Sequence, residues 1–376
     1  MPIQNSFIVR ATFTLLFTIL VFYSLIAAED FLVPLLMGIL FAFLLYPVAS
    51  FLEKKGVPRI LANILSIILG IVVISATVYV IYSQLSVFVG DFPELRQKAL
   101  RNVRNLENYI ASEYGVTVER QDRWLRDGIS TFFTSGGQLF QALFSTTAST
   151  VAKIGVMPVY VFFLLYYRNK FREFLMRVTP VHGHRKMSKI LREISHITKY
   201  YMGGISLVVL ILCVLNSIGL LIVGIQYAIL LGIISAVMNF IPYFGTLIGG
   251  AFPLLVALIT EESPSYAVGV IILFIIIQFT ENNILTPNIV GSNVRINPFF
   301  TILTIIIGGL VWGLAGMFIF LPFLAMFKIV CENIEPLQPV SYLLGTQGTE
   351  KHAITWDKIK GLFKKDEDSP ERRKVS

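Results

Sequence analysis

Two apolar stretches between Ala228 and Phe299 are each interrupted by helix-stopping residues, and they decide how the chain folds. The first interruption is NFIPYFG at residues 239–245, and the second is QFTENN at residues 278–283. Proline removes a backbone donor and clashes with the preceding helical turn. In hydrocarbon such a break is tolerated only where protein or a water-filled cavity satisfies the freed backbone groups. Paired broken segments of this kind indicate a transport site.

The composition places most of the chain in a lipid bilayer. Of its 376 residues, 55% are hydrophobic and 14% are charged, with a mean hydropathy of +0.73. Several runs of about 18 or more residues are nearly free of charge, which is typical of membrane-spanning helices. The net charge of +8 does not indicate nucleic acid, because the basic residues cluster beside the apolar runs. We therefore expect an all-α integral membrane protein whose partners are the bilayer and a small molecule or ion.

The apolar runs predict about eight transmembrane helices, with broken or re-entrant segments in the C-terminal half. The first run is interpreted as an uncleaved span, because it is long enough to cross and lacks a good cleavage site. Residues 226–260 are too long for one straight span and too short for two, so a kinked span and a re-entrant hairpin turning near Pro242 both fit. Residues 278–298 leave the same choice open. The predicted spans are residues 11–28, 31–52, 61–89, 139–167, 201–223, 226–260, 266–285 and 299–330.

The polar segments predict the domain organisation. Residues 1–335 form a single polytopic membrane domain, and residues 336–376 form a cytoplasmic tail that is partly disordered. Residues 91–137 carry balanced charges, as expected of an external helical insertion. Residues 168–199 carry nine basic residues against two acidic ones, which marks a cytoplasmic helical hairpin. Both termini are then predicted to be cytoplasmic.

Glu281 is the sharpest candidate for a functional residue, because it follows an apolar run and has amide side chains beside it. A carboxylate at membrane depth is costly, so such residues usually face a cavity or a partner. The alternative is an ordinary loop position at the headgroup level. Arg295 is a possible partner of Glu281, or it extends to the membrane surface. The predicted substrate-binding residues are Asn239, Pro242, Gly245, Gln278, Glu281, Asn282, Asn283 and Arg295.

Sequence motifs argue against an enzyme, and no cofactor is expected. There is no H-E-x-x-H, no G-K-[ST] phosphate loop and no G-x-S-x-G. Glu193-x-x-His196 is half of a di-iron motif without a second copy, and the two cysteines form no metal motif. Without a nucleotide site, active transport must draw on an ion or solute gradient. The small-residue motifs Gly245-x-x-x-Gly249 and Gly309-x-x-x-Gly313 predict close helix packing.

Several blocks of this sequence resemble the autoinducer-2 exporter family in their order and spacing over residues 10–335. The resemblance implies a bacterial inner-membrane protein with about eight spans. It also implies a homo-oligomer, with a pentamer as one candidate assembly. Members of the family are associated with export of the furanone signal autoinducer-2 in quorum sensing, or with sodium–proton antiport. The matching residues are Pro34, Tyr46-Pro47, Gly56, Pro58-Arg59, the block 239–245, the block 281–285, Pro287, Gly291, Pro298, Gly308-Gly309, Gly313 and Gly316.

One position departs from the family pattern. The family commonly has a histidine before the proline that is Pro298 here, whereas this chain has Asn297. Any proton role of that histidine is absent, which leaves Glu281 as the main titratable candidate. Two hypotheses follow: a secondary transporter that exports a small polar organic solute such as autoinducer-2, and a Na⁺(Li⁺)/H⁺ antiporter that uses Glu281.

Overall fold

The computed structural model describes residues 7–114, 131, 155–242, 244–261, 263–291 and 296–347, and these ranges are helical with short turns. Within them, six helices are long and apolar enough to cross a membrane, which confirms the all-α integral membrane fold. The helices are α1 (Phe7–Ala27), α2 (Glu29–Lys54), α3 (Arg59–Gly90), α4 (Phe92–Tyr114), α5 (Met157–Tyr166), α6 (Arg168–Val178), α7 (His184–Val223), α8 (Ala228–Met238), α9 (Phe244–Thr260), α10 (Pro264–Thr280), a π-helical turn (Glu281–Leu285), α11 (Thr286–Ile289), α12 (Pro298–Asn333) and α13 (Gln338–Leu344).

One end of the helical bundle is basic, and we call it the basic end. There the chain turns from α2 to α3 through Gly56, which has φ +92° and so takes a conformation that only glycine adopts easily. Arg168 follows α5 and donates to Glu53 at 2.5 Å, which joins the end of α2 to the start of α6. Arg59 at the start of α3 lies 3.8 Å from the same carboxylate. The fourth predicted span, residues 139–167, is described only from residue 155 and includes α5.

Residues 226–261 form a re-entrant helical hairpin, hairpin 1, made of α8 and α9. Its ends meet, because the backbone N–H of Gln226 donates to Glu261 Oε1 at 3.3 Å. Its arms touch where Ser235 Oγ donates to the Gly249 carbonyl at 2.5 Å. A Cβ on Gly245 would overlap the Met238 carbonyl oxygen, so the turn requires glycine. Of the two forms that the sequence allowed for residues 226–260, the structure has the hairpin.

Residues 298–333 form a second hairpin, hairpin 2, within α12, and the prediction of a single span at 299–330 is wrong. The backbone leaves the helical conformation at Trp312 and Gly313, and Gly313 has φ +57°. A Cβ on Gly308 would lie 2.5 Å from the Gly316 carbonyl oxygen, although a straight helix separates residues eight apart by about 12 Å. At the other end of the hairpin, the backbone N–H of Asn297 donates to the Leu344 carbonyl at 2.8 Å.

The two hairpins enter the bundle from opposite ends. Hairpin 2 begins and ends at the basic end, where Asn333 Nδ2 donates to Glu193 at 3.0 Å. Hairpin 1 begins and ends at the other end, beside Asp91 at the end of α3. There Asn102 of α4 donates to the carbonyls of Ile259 and Glu261, at 3.1 and 2.8 Å. Helix α4 therefore packs on the base of hairpin 1, as part of the predicted insertion at residues 91–137.

Tyr227 fixes the start of hairpin 1. It has φ +63°, which is uncommon for a residue with a side chain. Its hydroxyl donates to Asp91 Oδ2 at 2.6 Å, and its ring packs edge-on against Phe88. The hydrogen bond therefore holds α8 against the end of α3.

We expect Tyr227→Phe to destabilise the protein by about 1–2 kcal/mol, because a partly buried hydrogen bond to a carboxylate is lost while the ring packing stays. Thermal unfolding in detergent measures the change. Tyr266→Phe is the control, because that ring packs beside Gly224 and no hydrogen bond of its hydroxyl is among the described contacts. Equal stability of the two variants would contradict the proposed role of the Tyr227 hydroxyl.

Candidate functional site

The two sequence breaks meet at Glu281. Asn239 Nδ2 donates to Glu281 Oε1 at 2.6 Å, which joins the tip of hairpin 1 to the end of α10. Gln278 Nε2 donates to Glu281 Oε2 at 3.2 Å, so each carboxylate oxygen accepts from a neutral amide. All three side chains are partly buried. Residues that are 42 positions apart in sequence thus form one polar cluster, which we call the Glu281 cluster.

A π-helical turn places Glu281 at the end of α10. The turn covers Glu281–Leu285 and is followed by the short helix α11. A π-turn widens the helix locally and often occurs at functional sites. Pro287 cannot donate a backbone hydrogen bond, which favours a break in the regular ladder here. The sequence QFTENN followed by a proline therefore forms an interrupted helix rather than a loop.

Glu281 lies within the apolar segment formed by α10 and α11, 17 residues after Pro264 and eight before Ile289. This segment runs antiparallel to α7, because Gly219 packs against Leu273 and Gly204 packs against Val290. Glu281 lies eight residues after Leu273 and nine before Val290. At about 1.5 Å per residue, the carboxylate is more than 10 Å along the helix from either contact. Glu281 is therefore part of a helical turn inside this segment rather than part of a loop.

Hairpin 2 approaches the tip of hairpin 1 from the other side of the bundle. The ring of Phe240 packs edge-on against Phe318, with ring centroids 5.6 Å apart. Phe318 lies just past the turn of hairpin 2 at Trp312 and Gly313. The buried side chain of Ile277 lies in the same apolar core as Trp312. The tips of two hairpins that enter from opposite ends are thus in contact beside the polar cluster.

The other predicted site residues divide into three groups. Pro242 and Gly245 form the turn of hairpin 1 and contribute no described hydrogen bond to the Glu281 cluster. Asn282 and Asn283 are exposed, and Asn283 Nδ2 donates back to the Phe279 carbonyl at 2.8 Å. Arg295, the predicted partner of Glu281, lies outside the described residues. The structure therefore brings together Asn239, Gln278 and Glu281 from the predicted set.

Sequence reasoning missed the contribution of hairpin 2. Trp312 Nε1 donates to the Leu25 carbonyl at 3.0 Å, which ties the turn of hairpin 2 to α1. The signal in the sequence is the glycine pattern from Gly308 to Gly316, which by itself predicts close packing between helices. Those glycines do allow close packing, but between the two arms of one hairpin.

We expect Asn239→Ala to destabilise the protein by about 1–3 kcal/mol, because one oxygen of a partly buried carboxylate loses its donor. Asn283→Ala is the matched control, since its amide bonds only to the backbone of its own helix among the described contacts. Chemical unfolding in detergent compares the two variants. If both lose the same stability, the bond between Asn239 and Glu281 does not hold the two segments together.

The described residues contain no group of three or more His, Cys, Asp or Glu side chains that could hold a metal ion. Glu193 and His196, the single half of a di-iron motif, line a cavity of about 510 Å³ at the basic end. Glu193 accepts from Asn333 at 3.0 Å and lies 3.7 Å from Lys189. The carboxylate therefore takes part in the packing between α7 and α12.

Comparisons with known proteins show that this chain is similar to transport proteins. YrrI of Bacillus subtilis is 28% identical over 348 residues, which cover 88% of this chain and 96% of YrrI. YhhT of Escherichia coli strain K12 is 24% identical over 85% of this chain and 89% of YhhT. The protein named AI-2 transport protein TqsA, from the same strain, is 22% identical over 86% of this chain and 92% of TqsA. The family model described as AI-2E family transporter matches residues 14–335, and the chain therefore belongs to the AI-2E transporter family.

Proposed function

We propose that this protein is a secondary transporter that exports a small polar organic solute, with autoinducer-2 as the candidate solute. The observation that carries the proposal is the hydrogen bond between Asn239 and Glu281, which joins two interrupted apolar segments. Transport sites in secondary transporters typically lie near the midplane, where helices are discontinuous. The relative named AI-2 transport protein TqsA supports the choice of solute.

The chemistry of the Glu281 cluster suits a hydroxylated solute. A carboxylate accepts hydrogen bonds, and the amides of Asn239 and Gln278 both accept and donate them. A polyhydroxylated molecule could replace the internal hydrogen bonds of the cluster one for one. The apolar side chains around the cluster, such as Phe240 and Ile277, would exclude water and favour binding of a compact molecule.

The opposed hairpins supply a way to open the site alternately to each side. Hairpin 1 separates the cluster from one end of the bundle, and hairpin 2 separates it from the basic end. Their tips meet through Phe240 and Phe318. Movement of one tip away from the other would expose Glu281 to one side only. The contact is between two rings, so it can break without leaving an unpaired polar group.

We also propose the orientation and assembly that the sequence predicted. The basic end faces the cytoplasm of a bacterial cell, with the inner membrane as the location, because basic loops remain on that side. Asn282 and Asn283 are exposed at membrane depth, where polar groups facing lipid are costly. Contact with another copy of the chain would remove them from lipid, which supports a homo-oligomer.

A second candidate function is Na⁺(Li⁺)/H⁺ antiport through Glu281. The observation that favours it is the carboxylate itself, whose hydrogen-bond partners among the described residues are both neutral amides. Such a carboxylate can exchange a proton for a metal cation, and the neighbouring amide oxygens are suitable additional ligands.

Reconstitution into vesicles tests both functions with one preparation. In one assay the vesicles are loaded with autoinducer-2 and its efflux is followed. In the other, collapse of an imposed pH gradient is followed after addition of sodium or lithium. Empty vesicles and vesicles with Asn239→Ala are the controls. Solute efflux that requires Asn239 supports the exporter, and a cation-dependent pH change without efflux supports the antiporter. Failure of both assays would overturn the proposed function.

A further inference from the structure

Helix α6 has an apolar face that nothing covers among the described residues. None of its residues is buried, and the side chains of Phe174 and Val178 are 60% and 66% exposed. Phe171 and Leu175 lie on the same face, because positions three, four and seven apart share one side of a helix. An uncovered stripe of this kind on a short surface helix requires a partner.

Basic residues border the apolar face of α6. Lys170 and Arg172 lie on its two sides, about 100° of helix rotation either way from Phe171, and Arg177 is paired with Glu173 at 2.6 Å. A helix whose aromatic and aliphatic face is bordered by basic residues is typical of helices that lie in the membrane surface. Lys170 also lies over the ring of Tyr167, at 5.8 Å from its centroid.

α6 lies at the end of the bundle where we expect the membrane surface. It begins one residue after α5 ends, at the basic end of the bundle. Tyr166 ends α5 and Tyr167 is the one residue between the two helices, and tyrosines are enriched where the bilayer meets water. Arg168 then fixes the start of α6, because its guanidinium binds Glu53 and lies over the ring of Tyr46. The ion pair sets where the helix leaves the bundle.

We propose that α6 is an in-plane membrane anchor that binds the anionic lipid leaflet at the basic end. Phe171, Phe174, Leu175 and Val178 enter the boundary between acyl chains and headgroups. Lys170 and Arg172, one on each border of the apolar face, bind anionic headgroups, to which their charge is complementary. The Arg168–Glu53 ion pair links this anchor to α2.

The depth of two residues on opposite faces of α6 tests the anchor. Cys213 and Cys331 are replaced by serine in the full-length protein, and a nitroxide label is attached to Phe174→Cys or Arg172→Cys. The protein is placed in vesicles of phosphatidylglycerol and phosphatidylcholine, and collisions with oxygen and with a water-soluble nickel chelate are measured. We expect position 174 to favour oxygen and position 172 to favour nickel. Nickel access at position 174, or shielding of that position from both reagents by protein, would overturn the anchor.

Lipid retained on purification tests the charge preference. The ratio of phosphatidylglycerol to phosphatidylcholine bound to the protein is compared between the native chain and Lys170→Gln/Arg172→Gln. We expect enrichment of the anionic lipid to fall about fivefold for each charge removed. Lys98→Gln is the control, because it removes one positive charge from α4 at the other end of the bundle. An unchanged ratio in the double variant would overturn the headgroup contact.

Discussion

We expect Glu281→Gln to lower transport by about 10- to 100-fold in reconstituted vesicles. Glutamine keeps the shape of the side chain but removes the charge, and a hydrogen bond to a charged group contributes about 1.5–3 kcal/mol. In the native protein Asn239 and Gln278 each donate to one carboxylate oxygen of Glu281. The substitution replaces one of these acceptors by an amide nitrogen, which is itself a donor. For antiport the expected loss is complete, because glutamine cannot exchange a proton.

The control for this prediction is Glu94→Gln, because Glu94 lies on α4 with its side chain 65% exposed. That variant should transport as the native protein does. Initial rates are measured at equal amounts of reconstituted protein, so that differences in folding yield do not enter. Native rates in Glu281→Gln would show that the cluster has a structural role only.

The second large effect is expected from Gly308→Ala. The added methyl group would lie 2.5 Å from the carbonyl oxygen of Gly316 in the opposite arm of hairpin 2. The added Cβ is fixed directly to the backbone of Gly308, and the oxygen is part of the backbone of Gly316. Neither atom can therefore move aside by a side-chain rotation. We expect a loss of about 3 kcal/mol or more, the upper range for overpacking, seen as a lower midpoint of thermal unfolding in detergent.

Gly203→Ala is the matched control for this substitution. Gly203 lies within α7, and an added Cβ there would meet nothing within 4 Å. Alanine also favours helix more than glycine does, so the control should be neutral or slightly stabilising. A Gly308→Ala protein as stable as Gly203→Ala would mean that the two arms of hairpin 2 are not in close contact.

The meeting of the two breaks could be anticipated from sequence because it depends on local chemistry. Proline and amide side chains inside apolar runs stop helices, and a carboxylate at membrane depth needs a partner. The identity of the partner could not be anticipated, because it depends on which helices pack together and not on local chemistry. The sequence suggested Arg295, whereas the packing of hairpin 1 on α10 places Asn239 against Glu281.

Hairpin 2 escaped prediction because its sequence is apolar around the turn. An 18-residue window within residues 298–333 has a mean hydropathy of 2.3, as a membrane span has, and the turn is made by Trp312 and Gly313 without any charged residue. Glycine in an apolar helix usually means close packing with another helix. Only the backbone reversal shows that Gly308 and Gly316 pack against each other within one hairpin.

Cysteine cross-linking in vesicles tests most directly whether the tip of hairpin 1 meets the interrupted helix inside the bilayer. In a chain without Cys213 and Cys331, Asn239→Cys is combined with Glu281→Cys, and in the control with Asn283→Cys. Mercuric ion, which joins two nearby thiols, is added and the change in electrophoretic mobility is measured. We predict rapid cross-linking of the 239/281 pair and none of the 239/283 pair. No cross-link at 239/281, or an equal yield in both pairs, would contradict this arrangement.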